Sequence, residues 1–163
     1  MSAPSERLAA LGVALPPVPA PVAAYVPAVR VGDLIYTSGQ LPLEGGQLLA
    51  TGQVGSRVSV EDAARCARAA ALNGLAAVAE VAGSLDAVTQ IVKVVVYVSC
   101  APDFAGHPTV GNGASELLGE VFGEAGRHAR SAVGVASLPL DAPVEIELIV
   151  RAKSRPSIQP VDA

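Results

Sequence analysis

The sequence predicts an α+β domain, a mixed β-sheet with two helices laid on one of its faces. Three observations carry this reading. Residues 59–82 and 108–122 place apolar side chains at the three-and-four spacing of helices. The stretches around them are rich in Val and Ile, the residues of strands. The resulting order, strands, helix, strand, helix, strands, suits one layer of helices on one sheet.

The chain begins with Leu8 to Leu15, an apolar run of eight preceded by Glu6 and Arg7. It lacks the basic flank of a leader segment and runs into Pro16-Pro17-Val18-Pro19-Ala20-Pro21. A short helix is expected instead, capped by Ser5 and ended by Gly12, followed by an extended strap over 14–22 that holds four of the 13 prolines. Residues 1–21 are thus a helix and strap, 22–155 a single domain, and 156–163 a tail. Val26 to Ser38 reads as a hairpin turning at Gly32-Asp33. Leu41 to Gly55, with Gly45, Gly46, Gly52 and Gly55, reads as a loop or ribbon with a short strand near 47–50.

Ser59-Val60-Glu61-Asp62 has the form of a capping box. Behind it Ala64, Ala67, Ala71, Leu75, Val78 and Ala82 make an alanine-rich stripe suited to close approach, and Gly83 supplies the stop. Gln90 to Ser99 is a strand whose nearly continuous apolar run argues for burial on both faces, in a central position or under a subunit interface. Pro108 to Phe122 forms the second helix. Ser131–Ala136 and Val144–Val150 complete the sheet, joined through Leu138-Pro139-Leu140-Asp141-Ala142-Pro143. In the last strand, Glu145 and Glu147 share a face by the two-residue pleat.

Charged residues are only 16% of the 163, against about 25% in ordinary soluble domains, so part of the surface is expected to be covered by other subunits. Hydrophobic residues at 51% argue against intrinsic disorder. A net charge of −4 and five aromatic residues, without a basic cluster, argue against nucleic-acid binding. Cys66 and Cys100 lie outside any CxxC motif, and His107 and His128 have no partners at metal spacing, so no metal site is expected. No uncharged run reaches the ~18–20 residues of a membrane span, and a cytoplasmic protein is expected. The glycine-rich stretches match neither GxGxxG nor the P-loop.

The densest polar cluster is Gly126-Arg127-His128-Ala129-Arg130-Ser131, ahead of an apolar strand. Arg130, at the strand's entrance, offers the planar fork of donors that suits a carboxylate. Its strand and that of Glu145 are expected to be neighbours, which would bring both side chains to one small ligand.

Tyr25, Ser38-Gly39-Gln40, Asn112, Arg130-Ser131-Ala132-Val133, Leu138-Pro139 and Val144-Glu145-Ile146-Glu147 stand in the order and approximate spacing of the Rid family. These are the reactive-intermediate deaminases, also called YjgF-like and formerly L-PSP endoribonucleases. The chain resembles the longer branch of that family over roughly 22–152. The resemblance implies a chorismate-mutase-like fold, a homotrimer with clefts between subunits, and hydrolysis of small carboxylated enamines and imines to 2-oxo acids and ammonia. It implies that Arg130 holds the substrate carboxylate and that Glu145 orients or deprotonates the attacking water. Tyr25, Ser38 and Asn112 would line the cleft, and no cofactor is called for. The chain departs from the compact deaminases in Ala132, where they carry Cys, in Ala23-Ala24 before Tyr25, where they carry Gly-Pro, and in longer loops. A trimeric 2-oxo-acid-binding protein without turnover is the alternative expectation.

Overall fold

A computed structural model describes residues 2–18 and 24–153. Residues 19–23, which hold part of the expected strap, and the expected tail at 156–163 lie outside the described residues. The elements are α1 (Pro4–Ala10), β1 (Ala28–Val31), β2 (Leu34–Thr37), β3 (Leu43–Glu44), β4 (Gln47–Leu48), α2 (Val60–Ala82), β5 (Val88–Ser99), α3 (His107–Phe122), β6 (Ala129–Val135) and β7 (Val144–Ala152). Single 3-10 turns lie at 85–87, 123–126 and 139–141.

The main sheet has the order β1-β2-β7-β5-β6. Only β5 and β6 run parallel, joined by the helical crossover α3 that parallel neighbours need. The strands carrying Arg130 and Glu145 are therefore not neighbours, contrary to expectation, because β5 lies between them. The eight-residue link 136–143 can step over β5, since two strand spacings are only about 10 Å.

The long helix behaves as its sequence dictates. The Asp62 backbone N–H donates to Ser59 Oγ at 3.0 Å, and Gly83 ends α2 in the left-handed conformation at φ 89°. Its small residues allow close packing: Leu148 comes so near Gly74 that a β-carbon there would lie 2.8 Å from Cδ1. At the α2–α3 crossing, a β-carbon on Gly113 would overlap the Ala64 carbonyl. Ala64 thus faces α3, while Ala63, Ala67, Ala70 and Ala71 are buried in the core.

At the N-terminus Pro4 opens α1 and Ala3 is its cap, so Ser5 does not cap the helix as expected. Ser5 instead donates through N–H and Oγ to the Asp86 carboxylate, both at 2.8 Å, pinning α1 to the turn after α2. Gly12, at φ 72°, follows the helix end. The ribbon β3–β4 turns through Gly45-Gly46, both at positive φ.

Val94, Val96 and Val98 of β5 are fully buried beneath the helices, with Ile146, Leu148 and Val150 of β7. Within one chain β5 is covered on that face only; Lys93, Val95 and Tyr97 point to the other. This second face of the sheet carries Val29, Val31, Tyr36 and Val133 in the open, Val31 at 63% exposure, and no element of the described residues covers it. Among the described residues, no helix is long and apolar enough to cross a membrane, and no group of three or more His, Cys, Asp and Glu is placed to hold a metal.

Candidate functional site

Arg130 enters β6 beside Val94 and so turns to the helix-covered face, at the free edge of the sheet. Its guanidinium is held by α3: Nη1 donates to Asn112 Oδ1 at 2.9 Å and to Ser115 Oγ at 3.0 Å, and Nη2 donates to the Pro108 carbonyl at 3.3 Å. Gly111 makes this possible, since a β-carbon there would come within 3.2 Å of Nη1. Among the described residues no carboxylate pairs with Arg130, whereas Arg127 turns outward to Glu124 at 3.1 Å. All of the partners of Arg130 are neutral, so its positive charge is oriented and uncompensated, with N–H donors left over for a ligand.

Ser115 and His128 extend this cluster, and no sequence motif marks Ser115. Its Oγ lies 3.0 Å from His128 Nε2, while His128 Nδ1 lies 2.6 Å from the Gly126 carbonyl. A carbonyl only accepts, so it fixes the ring proton on Nδ1. Nε2 then accepts from Ser115, whose oxygen accepts from Arg130. The chain of bonds runs from the loop carbonyl to the guanidinium.

Glu145 lies elsewhere. It points to the uncovered face of the sheet, in register with Tyr97 and one pleat repeat from Glu147. Its carboxylate rests against the backbone of Gly39. Gln40 and Ile146 exchange backbone hydrogen bonds at 2.8 and 2.9 Å, which extends the sheet and holds Ser38-Gly39-Gln40 beside the start of β7. Ser38 Oγ donates to the Val26 carbonyl at 2.7 Å, which ties the segment carrying Tyr25 to the same corner, and Tyr25 is 58% exposed. Burial first, and then the Glu147 charge, raise the Glu145 carboxyl above its ordinary range. Tyr97 donates to Glu147 Oε2 at 3.3 Å and is likewise raised, by burial first.

The structure thus sorts the expected residues into two groups. Asn112 and Arg130 meet on the edge of the helix-covered face; Ser38 and Glu145 lie at the β2–β7 corner, to which Val26 ties the segment carrying Tyr25. Within one chain the groups do not meet, because β5 separates their strands and the sheet itself separates their faces.

A family model described as "YjgF/chorismate_mutase-like, putative endoribonuclease" matches residues 5–151. Protein TCP17 of Trypanosoma cruzi is 43% identical over 147 residues, covering 90% of this chain and 92% of that protein. A 2-iminobutanoate/2-iminopropanoate deaminase of Dermatophagoides farinae is 33% identical over 138 residues, covering 85% and 93%. Among solved structures, the protein Atu1372 of Agrobacterium tumefaciens, of unknown function, superposes with a TM-score of 0.84 at 44% identity, over 92% of each chain. The Escherichia coli TdcF structure with bound serine superposes at 0.60 and 29% identity, covering 83% and 94%.

Proposed function

The chain belongs to the YjgF/chorismate mutase-like family, and on that premise we propose that it hydrolyses small carboxylated imines and enamines to 2-oxo acids and ammonia. The site is a cleft shared by two copies within a homotrimer. One observation carries this reading: Arg130 and Glu145 lie in separate groups on opposite faces of one sheet. A small ligand touches both only when it sits between the Arg130 edge of one copy and the Glu145 corner of another. The uncovered face with Val29, Val31 and Val133 supplies apolar surface for such an assembly. The deaminase named among the relatives and the serine bound to TdcF support a small substrate bearing a carboxylate.

In the shared cleft the free donors of Arg130 engage the substrate carboxylate and fix the C=N carbon in place. An enamine is protonated at its β-carbon to become the imine. Glu145 of the facing copy, raised toward basicity by burial, takes a proton from water as its oxygen bonds to the imine carbon. The π pair passes to nitrogen, which is protonated, and collapse of the carbinolamine expels ammonia and leaves the 2-oxo acid. Tyr25 and Ser38 line the Glu145 side, and Asn112 braces the arginine.

Mixing inactive variants tests both the reaction and the shared cleft. Arg130→Ala and Glu145→Gln each release little ammonia from imines generated in situ. When subunits of the two are exchanged at equal ratio, random assembly restores about a quarter of the clefts and of the activity, because one face in four joins an intact arginine to an intact glutamate. Mixtures as inactive as their parents would overturn the shared cleft. Ligand binding lost with Arg130, in a wild-type protein that releases no ammonia, would identify a binding protein without turnover.

A further inference from the structure

At the other end of β6 from Arg130 the chain holds a thiol–imidazole pair. Cys100 Sγ lies 3.4 Å from His107 Nε2, and both line a cavity of about 330 Å³ with Ala101, Pro102, Phe104 and Val135. Gly134 makes the meeting possible. A β-carbon there would stand 2.7 Å from His107 Nε2 and 2.9 Å from Cys100 Sγ, so any larger residue would push the two apart. Phe104 packs edge-to-face on the imidazole, with ring centroids 5.1 Å apart, and fixes its plane. A nucleophile within reach of a base, a third group orienting the base, and a cavity at the sulfur are together the arrangement of an activated thiol.

We propose that Cys100 and His107 form a second reactive site, which captures small, neutral, α,β-unsaturated carbonyl compounds by addition of the thiol. The residues lining the cavity include no Lys, Arg, Asp or Glu, so charge does not select the ligand, and apart from Cys100 and His107 their side chains are apolar. In the tautomer that carries its proton on Nδ1, His107 Nε2 accepts the thiol proton as Sγ bonds to the β-carbon of the acceptor. The C=C π pair moves to the α-carbon, which then takes the proton from Nε2. Nothing is oxidised or reduced, and no group leaves. Burial raises the resting thiol, so the thiolate is formed at the moment of attack by His107 rather than held beforehand.

Cys66 serves as an internal control. It is buried in α2, its thiol is pushed up to about 11, chiefly by burial, and no imidazole is among its hydrogen-bond partners. The native full-length protein is incubated with acrylamide, and adducts are followed by peptide mass spectrometry. Cys100 is expected to react at least about tenfold faster than Cys66, and His107→Gln to slow Cys100 by about the same factor with Cys66 unchanged. Equal rates at the two cysteines in the wild-type protein would overturn the site, whether or not the variant folds. An unchanged Cys100 rate in a folded His107→Gln protein would overturn the role of the imidazole.

Discussion

The carboxylate of Glu145 occupies the space that a β-carbon on residue 39 would take. Gly39 is therefore a requirement of the glutamate's position, imposed by close approach of side chain to backbone. Gly39→Ala is expected to displace the carboxylate while the Gln40–Ile146 backbone bonds persist. Ammonia release should fall about 100-fold, within the range attributed to a well-placed base, with little change in the circular dichroism spectrum. A fully active Gly39→Ala protein would mean that Glu145 does not need its present place.

Arg130 is expected to determine carboxylate affinity. Arg130→Lys keeps the charge but cannot maintain the fork to Asn112 and Ser115 while offering paired donors, and should weaken binding of a 2-oxo acid about tenfold. Arg130→Ala should weaken it about 100-fold, in line with loss of charge-assisted bonds. Calorimetric titration with pyruvate and 2-oxobutyrate measures both, and unchanged affinity in the alanine variant would refute the site.

Glu145→Gln separates chemistry from binding. Turnover should fall by about 10²–10⁴-fold, while affinity for a product 2-oxo acid stays within about twofold. The variant should also be more stable at pH 7. Because the folded carboxyl is raised, its ionised form costs stability at neutral pH, and that cost disappears as pH falls through the raised value. Scanning calorimetry should find Tm higher than wild type at pH 7 and no difference near pH 4, below the ordinary glutamate value. A lower Tm at pH 7 would mean that the carboxylate is stabilised in the fold by a partner.

Two glycines of α3 should respond in opposite directions. Gly113→Ala drives a methyl into the Ala64 carbonyl of α2 and should cost about 1–3 kcal/mol by urea unfolding. Gly119→Ala adds its methyl in open space on the same helix and should stabilise by about 0.5–1 kcal/mol. Destabilisation by both would show that helix propensity is not what limits α3.

Most of the fold was legible because its signals are local. Ser59 and Gly83 mark the ends of α2 by their own chemistry, and Gly32-Asp33 marks the hairpin. The order of β5, β6 and β7 was not, since an eight-residue link reaches either the neighbouring strand or the one beyond, and nothing in its composition chooses. Ser5 has the character of a cap, yet Pro4 opens the helix before it, and Asp86, distant in sequence, takes its hydroxyl. Of the site, Arg130 and Glu145 stood out through the motifs around them. Ser115 was hidden among small residues of α3, and its meaning comes only from lying between Arg130 and His128.

The bracing of Arg130 bears on what a carboxylate bound there, as proposed, would expend. A long side chain free in solvent surrenders about 2 kcal/mol of rotamer entropy when it is immobilised. Here three bonds to α3 have already exacted that loss during folding. A ligand arriving at the guanidinium meets a cation already ordered, so little of its own interaction energy is diverted to arranging the protein. In the proposed cleft even a fragment of few atoms would then be retained, and selectivity among such fragments would fall to the walls rather than to the charge.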